Sequence, residues 1–305
     1  MLTYYAKRSE AEGFQEISSP PNENVWVKGE NVNESDLETL SNRFNMDLNV
    51  LKDVLDLDEL PRVEMRGGGM YVFVRTVHLG KRGRVITTPF LMVLKDSVLA
   101  SLSPYDNTAN TASSKMIAQT SDITGLLLGS FASIISEYES LMQHTARHVK
   151  DTGHRLRSHE VTNDDFIRFV TVEDNLNEYH MNLSSMLVVA QRLEEILKGS
   201  PDLEAIEDIL LYIRQLLVAI DSYNQSIISI RNAYGTVANN VLNQRMKTLT
   251  MLTLLIALPN VFYGMYGMNV PIPFQDRPWM FPIIVVFTFT LIFMIYWLAK
   301  KRKVF

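Results

Sequence analysis

The tripeptide Gly267-Met268-Asn269 ends one uncharged apolar stretch and stands a short loop away from another. The Asn269 carboxamide offers a neutral, hard oxygen. Such oxygens suit Mg²⁺, which prefers oxygen ligands and gives up its waters reluctantly. A ring of amide oxygens accepts hydrogen bonds from those waters without stripping them, whereas a carboxylate ring binds more tightly and slows release. Stepping back along the first stretch by threes and fours gives Met246, Thr250, Thr253, Ala257, Asn260, Gly264 and Gly267 on one stripe. Asn243 and Leu249 extend it at its beginning. Most of these residues are small or polar, while Leu252, Leu254, Leu255, Ile256, Leu258, Val261 and Phe262 occupy the other faces. Gly264 and Gly267 leave room for a hydrated ion, and Met246 with Leu249 suits a hydrophobic constriction that closes by dewetting.

The elements that must position this stripe are two membrane-crossing helices. Residues 248–268 and 281–299 carry no formal charge. Each is long enough to cross about 30 Å of hydrocarbon as a helix. Arg245 and Lys247 precede the first, and Lys300, Lys301, Arg302 and Lys303 follow the second. The loop between them holds only Asp276 and Arg277. The positive-inside bias therefore predicts cytoplasmic termini, a short external loop over 270–279 and a basic tail over 300–305. Trp279, Tyr296 and Trp297 stand where interfacial aromatics are expected. Residues 1–8 have no apolar core of the signal-peptide kind, so insertion is expected to be directed by the hairpin. The basic residues read equally as a collar influencing the inner pore mouth and as lipid-headgroup contacts worth about 1 kcal/mol each. Two spans cannot enclose a channel, so a pore would have to lie on a symmetry axis between copies. Small residues also line ordinary helix–helix contacts, and a plain anchor hairpin is a further alternative. Asn260 argues against the anchor, since a polar side chain within a span faces a bundle interior or water.

Charge divides the chain in the same place. Of 29 Lys/Arg and 34 Asp/Glu, seven and one lie in residues 245–305. The preceding part keeps 22 basic and 33 acidic residues, a net charge of −11, which argues against a nucleic-acid partner and suits divalent cations. Cysteine is absent, so disulfides and thiolate metal sites are excluded. No nucleophile–base pair, nucleotide loop or paired carboxylates of an enzyme stand out.

Residues 1–118 read as a cytoplasmic α/β domain. Short strands are predicted at 2–6, 25–27, 70–77, 89–94 and 98–102 from β-branched and aromatic runs. A helix opens at Asn33, and a second is predicted over 46–57. Gly67-Gly68-Gly69 suits a hairpin turn rather than a phosphate cradle, since no Gly-Lys-Ser/Thr follows and the next element is a strand. Helical periodicity then covers 120–158, 163–199 and 203–266. The predicted division is a helical pair over 119–200, a stalk helix over 201–247, a first span over 248–269 and a second over 280–299. The last long helix would run about 65 residues, about 95 Å at 1.5 Å per residue. Asn239, Asn240, Asn243 and Gln244 form a polar collar before its apolar part. His144 and His148 have the i, i+4 spacing of a helix-borne Zn²⁺ site, but two imidazoles without a third ligand read as exposed helix residues.

These residues together resemble the CorA-type magnesium transporters, also described by their Gly-Met-Asn motif. The likeness rests on Tyr266-Gly267-Met268-Asn269, the short loop, the second span and the basic C-terminus. It extends to Tyr234, Asn243, Met246-Lys247 and Leu249-Thr250. It reaches Leu51-Lys52-Asp53-Val54-Leu55, Pro61-Arg62-Val63-Glu64 and Tyr71-Val72-Phe73 in the N-terminal domain. The resemblance implies a funnel-shaped homopentamer in the cell membrane, with an α/β/α cytoplasmic domain, long stalk helices and two spans per subunit. It implies passive influx of Mg²⁺, with Co²⁺ and Ni²⁺ as further cargo, and no organic cofactor. By the same resemblance Gly267, Met268 and Asn269 form the selectivity entrance, with Asn269 meeting the hydrated ion. Asn243, Met246 and Leu249 belong to the lower pore and gate, and Asp53 with Asp208 of a neighbouring subunit binds regulatory Mg²⁺. Lys52 replaces an acid usual in the family, which predicts weaker feedback or the use of other acids. The loop lacks the usual Met-Pro-Glu-Leu run, leaving Asp276 as the only acid at the mouth. A Zn²⁺ transporter of the same superfamily and a non-conducting membrane-tethered metal sensor are the alternatives. Met268 disfavours the first, because relatives of that kind tend to carry Gly-Ile-Asn.

Overall fold

The computed structural model of the protein describes residues 1–6, 14–18, 21, 24–105, 123–157, 163–269, 274 and 276–301. Side chains 82, 148, 152–157, 163–166 and 298–300 are outside that description. The chain divides into two compact units, Met1–Ile230 and Arg231–Phe305.

The first unit is built on a seven-stranded mixed sheet: β1 (Leu2–Ala6), β2 (Gln15–Ile17), β3 (Val25–Gly29), β4 (Arg62–Arg66), β5 (Gly69–Leu79), β6 (Val85–Lys95) and β7 (Val98–Leu102). Their order across the sheet is β2-β1-β3-β7-β6-β5-β4. Among the described residues only β3 and β7 pair in parallel. β5 and β6, eleven residues each, form a hairpin from Gly69↔Lys95 to Leu79↔Val85, longer than the local apolar runs predict. Sequence periodicity missed β2 and β4. Both are edge strands, and their polar sequences QEI and RVEMR carry little apolar signal. Pro89 is tolerated inside β6 because β7 pairs residues 91–95 of that strand, so Pro89 lies outside the β6–β7 ladder.

Both faces of the sheet are covered, so the central strands are buried at nearly every position. Val27, Tyr71, Phe73, Leu91, Val93 and Ala100 pack against α1 (Glu34–Phe44), α2 (Leu48–Lys52) and the 3-10 turn Asp53–Leu55. The alternate residues Trp26, Val72, Val74, Phe90, Met92 and Leu99 share a core with α3 (Ile123–Arg157), α4 (Asn163–Ile196) and the beginning of α5 (Leu203–Tyr266). This is an α/β/α layering. Trp26 stacks on Tyr5 at 4.7 Å between ring centroids, and its indole N–H donates to Ser101 Oγ at 2.8 Å.

Local signals set the element ends. Asn33 caps α1 in a reciprocal box with Asp36, and Asp47 caps α2 by accepting from the Asn49 and Val50 N–H groups. The predicted helix over 46–57 is therefore shorter and ends in the 3-10 turn. Gly67 and Gly68 both have positive φ, 58° and 78°, with open space where a Cβ would lie. The turn joining β4 to β5 thus needs glycine for backbone conformation rather than for room.

Polar contacts fasten the helices to the sheet. The buried Asn175 of α4 accepts from the Val85 N–H at 2.9 Å and donates to the Gly83 carbonyl at 2.8 Å. Thr87 Oγ1 donates to Glu178 at 2.8 Å. On α5, Ile206, Ile209, Leu210, Ile213, Leu216, Ile220 and Ile227 turn inward. The Tyr212 hydroxyl donates to Glu139 of α3. Burial first, and the Glu139 carboxylate second, push that phenol up to about 12, so it remains a donor at neutral pH. The second unit holds the remainder of α5, which is unbroken through 64 residues, and α6 (Met280–Lys301).

Asn175→Ala leaves the buried Val85 N–H without its acceptor. The expected cost is about 1–3 kcal/mol, read as an earlier denaturant midpoint of the full-length protein followed by the near-ultraviolet signal of the first unit.

Candidate ion pathway

α6 and a window of α5 are long and apolar enough to cross a membrane. None of the α5 window and 6% of that of α6 is buried, whereas the core helix of a water-soluble protein would be mostly buried. Within the second unit α5 has two distinct sides. Met251, Leu255, Leu258, Phe262 and Tyr266 are half-buried and recur at steps of three and four. Phe262 meets Phe287 of α6 edge-to-face, with centroids 5.4 Å apart. That side is where the chain covers its own helix.

The other side is the uncharged stripe. Asn243, Met246, Leu249, Thr250, Thr253, Ala257, Asn260, Gly264 and Gly267 are all exposed. At 100° per residue the two sets lie roughly 180° apart on α5. The stripe continues towards the first unit through Asn232, Thr236 and Asn239, also exposed and uncharged. Thr250 and Thr253 donate their hydroxyl protons to the Met246 and Leu249 carbonyls at 2.8 and 2.9 Å. Their free lone pairs therefore act as acceptors, which is what the outward-pointing protons of a hydrated cation require. Gly264 has open space at its Cβ position. Its φ is not of the left-handed kind, so neither crowding within the chain nor backbone geometry calls for glycine there. A helix-interior glycine costs about 1 kcal/mol against alanine, and room outside the chain is what remains to account for it.

α5 ends where the motif begins. The Gly267 N–H is shared between the Tyr263 and Gly264 carbonyls at 3.0 and 3.2 Å, and the Met268 N–H reaches Met265 at 3.3 Å. A Cβ on Gly267 would lie 3.3 Å from the Tyr263 oxygen. Met268 and Asn269 follow as an exposed turn. Of the loop, residues 270–273 and 275 lie outside the described residues. Phe274 adopts φ 65°, an unusual conformation for a bulky side chain. Its carbonyl accepts from the Arg277 N–H at 3.0 Å, and its ring rests 5.8 Å from Trp279. Asp276 is exposed. Lys247 is exposed at the other end, and Lys301 Nζ stands 5.1 Å over the Trp297 ring. The Lys300 side chain, Arg302 and Lys303 lie outside the described residues.

The two regulatory candidates sit in the first unit. Asp208 is exposed on α5. Asp53 is bound to Arg62 at 2.6 Å. Lys52 has a separate partner, Glu34, at 3.6 Å, so the cation facing Asp53 is Arg62. Sequence reasoning missed this role of Arg62; its place in the Pro61-Arg62-Val63-Glu64 motif was the available signal. Among the described residues no group of three or more His, Asp or Glu is arranged to hold a metal. His144 is exposed on α3, and the side chain of His148 lies outside the description.

A sequence model of the CorA-like Mg²⁺ transporter protein family matches residues 21–301. The chain belongs to that family. It is 22% identical over 299 residues to the cobalt/magnesium transport protein CorA of Methanocaldococcus jannaschii, covering 94% of this chain and 93% of the relative. The complete structure of the CorA magnesium transporter from that organism superposes with a TM-score of 0.85 at 18% identity, covering 98% of this chain and 97% of the other. Full-length CmaX superposes with a TM-score of 0.75 at 13% identity, covering 97% of each chain. The CorA fold thus includes the α/β domain, the long helix and the two apolar C-terminal helices of this chain. As a member of this family the chain is a divalent-cation transporter.

Phe262→Ala and Phe287→Ala should each loosen the α5–α6 hairpin. In a double-mutant cycle their effects on unfolding in detergent should fall short of additivity by about 0.5–1.5 kcal/mol, the worth of an edge-to-face pair.

Proposed function

We propose that this chain is one subunit of a homopentameric channel that passes hydrated Mg²⁺ into the cell down its electrochemical gradient. The observation that carries the reading is the uncharged stripe from Asn243 to Gly267, exposed on the side of α5 opposite the packed α6. Copies of the chain arranged around an axis would bring those stripes together, covering polar groups that lipid cannot satisfy. Asn269 then forms the top ring. Its amide oxygens would accept hydrogen bonds from the ion's waters, so selection acts on the hydrate and transit needs no dehydration. Gly264, Asn260, Ala257 and Thr253 would line the shaft, and Leu249, Met246 and Asn243 the lower constriction. Co²⁺ and Ni²⁺, which also form octahedral hydrates, are the other candidate cargoes.

The assembly would place residues 1–118 and the helical pair 119–200 in the cytoplasm, with the stalk over 201–247. Spans over 248–269 and 280–299 and the outer loop 270–279 would follow. Lys247 and the tail Lys300, Lys301, Arg302 and Lys303 would make a basic collar at the inner face of the plasma membrane. Regulatory Mg²⁺ held between Asp53 of one subunit and Asp208 of the next would favour the closed state.

Asn269→Ala removes every acceptor of the top ring at once. With each hydrogen bond worth about 1 kcal/mol, selective Mg²⁺ flux into proteoliposomes should fall at least tenfold while the pentamer still assembles. Unchanged selective flux would sink the entrance assignment. Asp53→Lys should keep the pore conducting at internal Mg²⁺ that closes the unaltered protein. Normal closure in that variant would remove Asp53 from the sensor.

A further inference from the structure

Around Asp53 the charges are arranged on a single guanidinium. Arg62 Nη2 binds Asp53 at 2.6 Å, Arg62 Nη1 binds Glu59, and Arg62 Nε stands 3.6 Å from Glu64. The same guanidinium lies 4.1 Å from the centroid of the Phe73 ring, so one face is stacked while its edge is shared by three carboxylates. The segment that carries Glu59 is itself held in place, because Arg75 Nη1 donates to the Leu57 and Glu59 carbonyls at 2.9 and 2.8 Å. Glu59 is the most buried of the three acids, its side chain 17% exposed against 42% for Asp53. The arrangement is asymmetric. Glu59 and Phe73 anchor the guanidinium from the inner side, and Asp53 takes its outer edge and can reach solvent.

We infer that Arg62 is a resident counter-cation that competes with the regulatory divalent ion for Asp53 and so sets the ion concentration at which the pore closes. The inference rests on the sensor role given above to Asp53. A hydrated divalent ion needs the Asp53 carboxylate oxygens as acceptors, and one of them is occupied by Arg62. Binding therefore requires the pair to open or share, and the apparent affinity falls by the fraction of time Asp53 is released. Glu59 controls that fraction, because it holds the other terminal nitrogen of the same guanidinium and keeps Arg62 neutralised and in place when Asp53 lets go.

The test uses the full-length protein in detergent and reads the Mg²⁺ concentration that half-protects it from a protease. Arg62→Gln should lower that concentration by about two- to fivefold, the range that a solvent-accessible ion pair is worth. Arg62→Lys should fall between, since a point charge cannot bridge two carboxylates as a guanidinium fork does. Glu59→Gln should shift it the opposite way, upward, by leaving Arg62 to Asp53. In the Arg62→Gln background the Glu59→Gln shift should shrink. A purely structural role for the pair would move both single variants in one direction. A rise with Arg62→Gln would mean that Arg62 orients Asp53 for the ion and would overturn the inference. So would a Glu59→Gln shift that persists undiminished without Arg62. Asp53→Asn separates the two levels: if it leaves Mg²⁺ protection intact, the sensor reading itself fails. If protection disappears in Asp53→Asn and Arg62→Gln changes nothing, only the counter-cation fails.

Discussion

A helix that must satisfy two different surroundings at once is the constraint on which the molecule depends. In its second half α5 offers α6 an apolar side built on Leu255, Leu258 and Phe262, while its opposite side carries amides, hydroxyls and glycine. Hydrocarbon can cover the first kind of surface and cannot satisfy the second. The chain alone leaves the polar side uncovered, so the pressure to surround it with water or with further copies arises from the helix itself. The threonines reduce that pressure without removing it: by donating to carbonyls of their own helix they keep their protons out of lipid and present acceptors outward.

The first unit meets a comparable demand with ordinary core chemistry. Its sheet buries both faces, so the central strands need apolar residues at successive positions, and the remaining polar groups must find partners inside. Trp26 finds Ser101, Asn175 finds the ends of the β5–β6 hairpin and Glu178 finds Thr87. The charges excluded from this core collect at its margin. Asp53, Glu59 and Glu64 converge there on Arg62, and an acidic surface thereby acquires an internal cation.

Much of the fold was legible along the chain. The three long helices follow from their periodicity, with the break at Gly199, whose φ is 85°. The helix start at Asn33 and the glycine turn at 67–68 follow from local chemistry. β2 and β4 were not legible, because short polar edge strands take their conformation from the neighbour they pair with. The full length of β5 and β6 was hidden for the same reason: residues 78–79 and 85–88 are strand by virtue of each other.

The stripe from Asn243 to Gly267 and the motif Gly267-Met268-Asn269 were determined by sequence alone, since helical spacing is a property of residue order. Tertiary structure decided which side of α5 is taken by α6, because that depends on a partner in another helix and on the meeting of Phe262 with Phe287. It also decided that Asp53 faces Arg62 while Lys52 turns to Glu34. The two adjacent charges Lys52 and Asp53 carry no information in sequence about direction; the 3-10 turn and the pairing of β4 with β5 supply it.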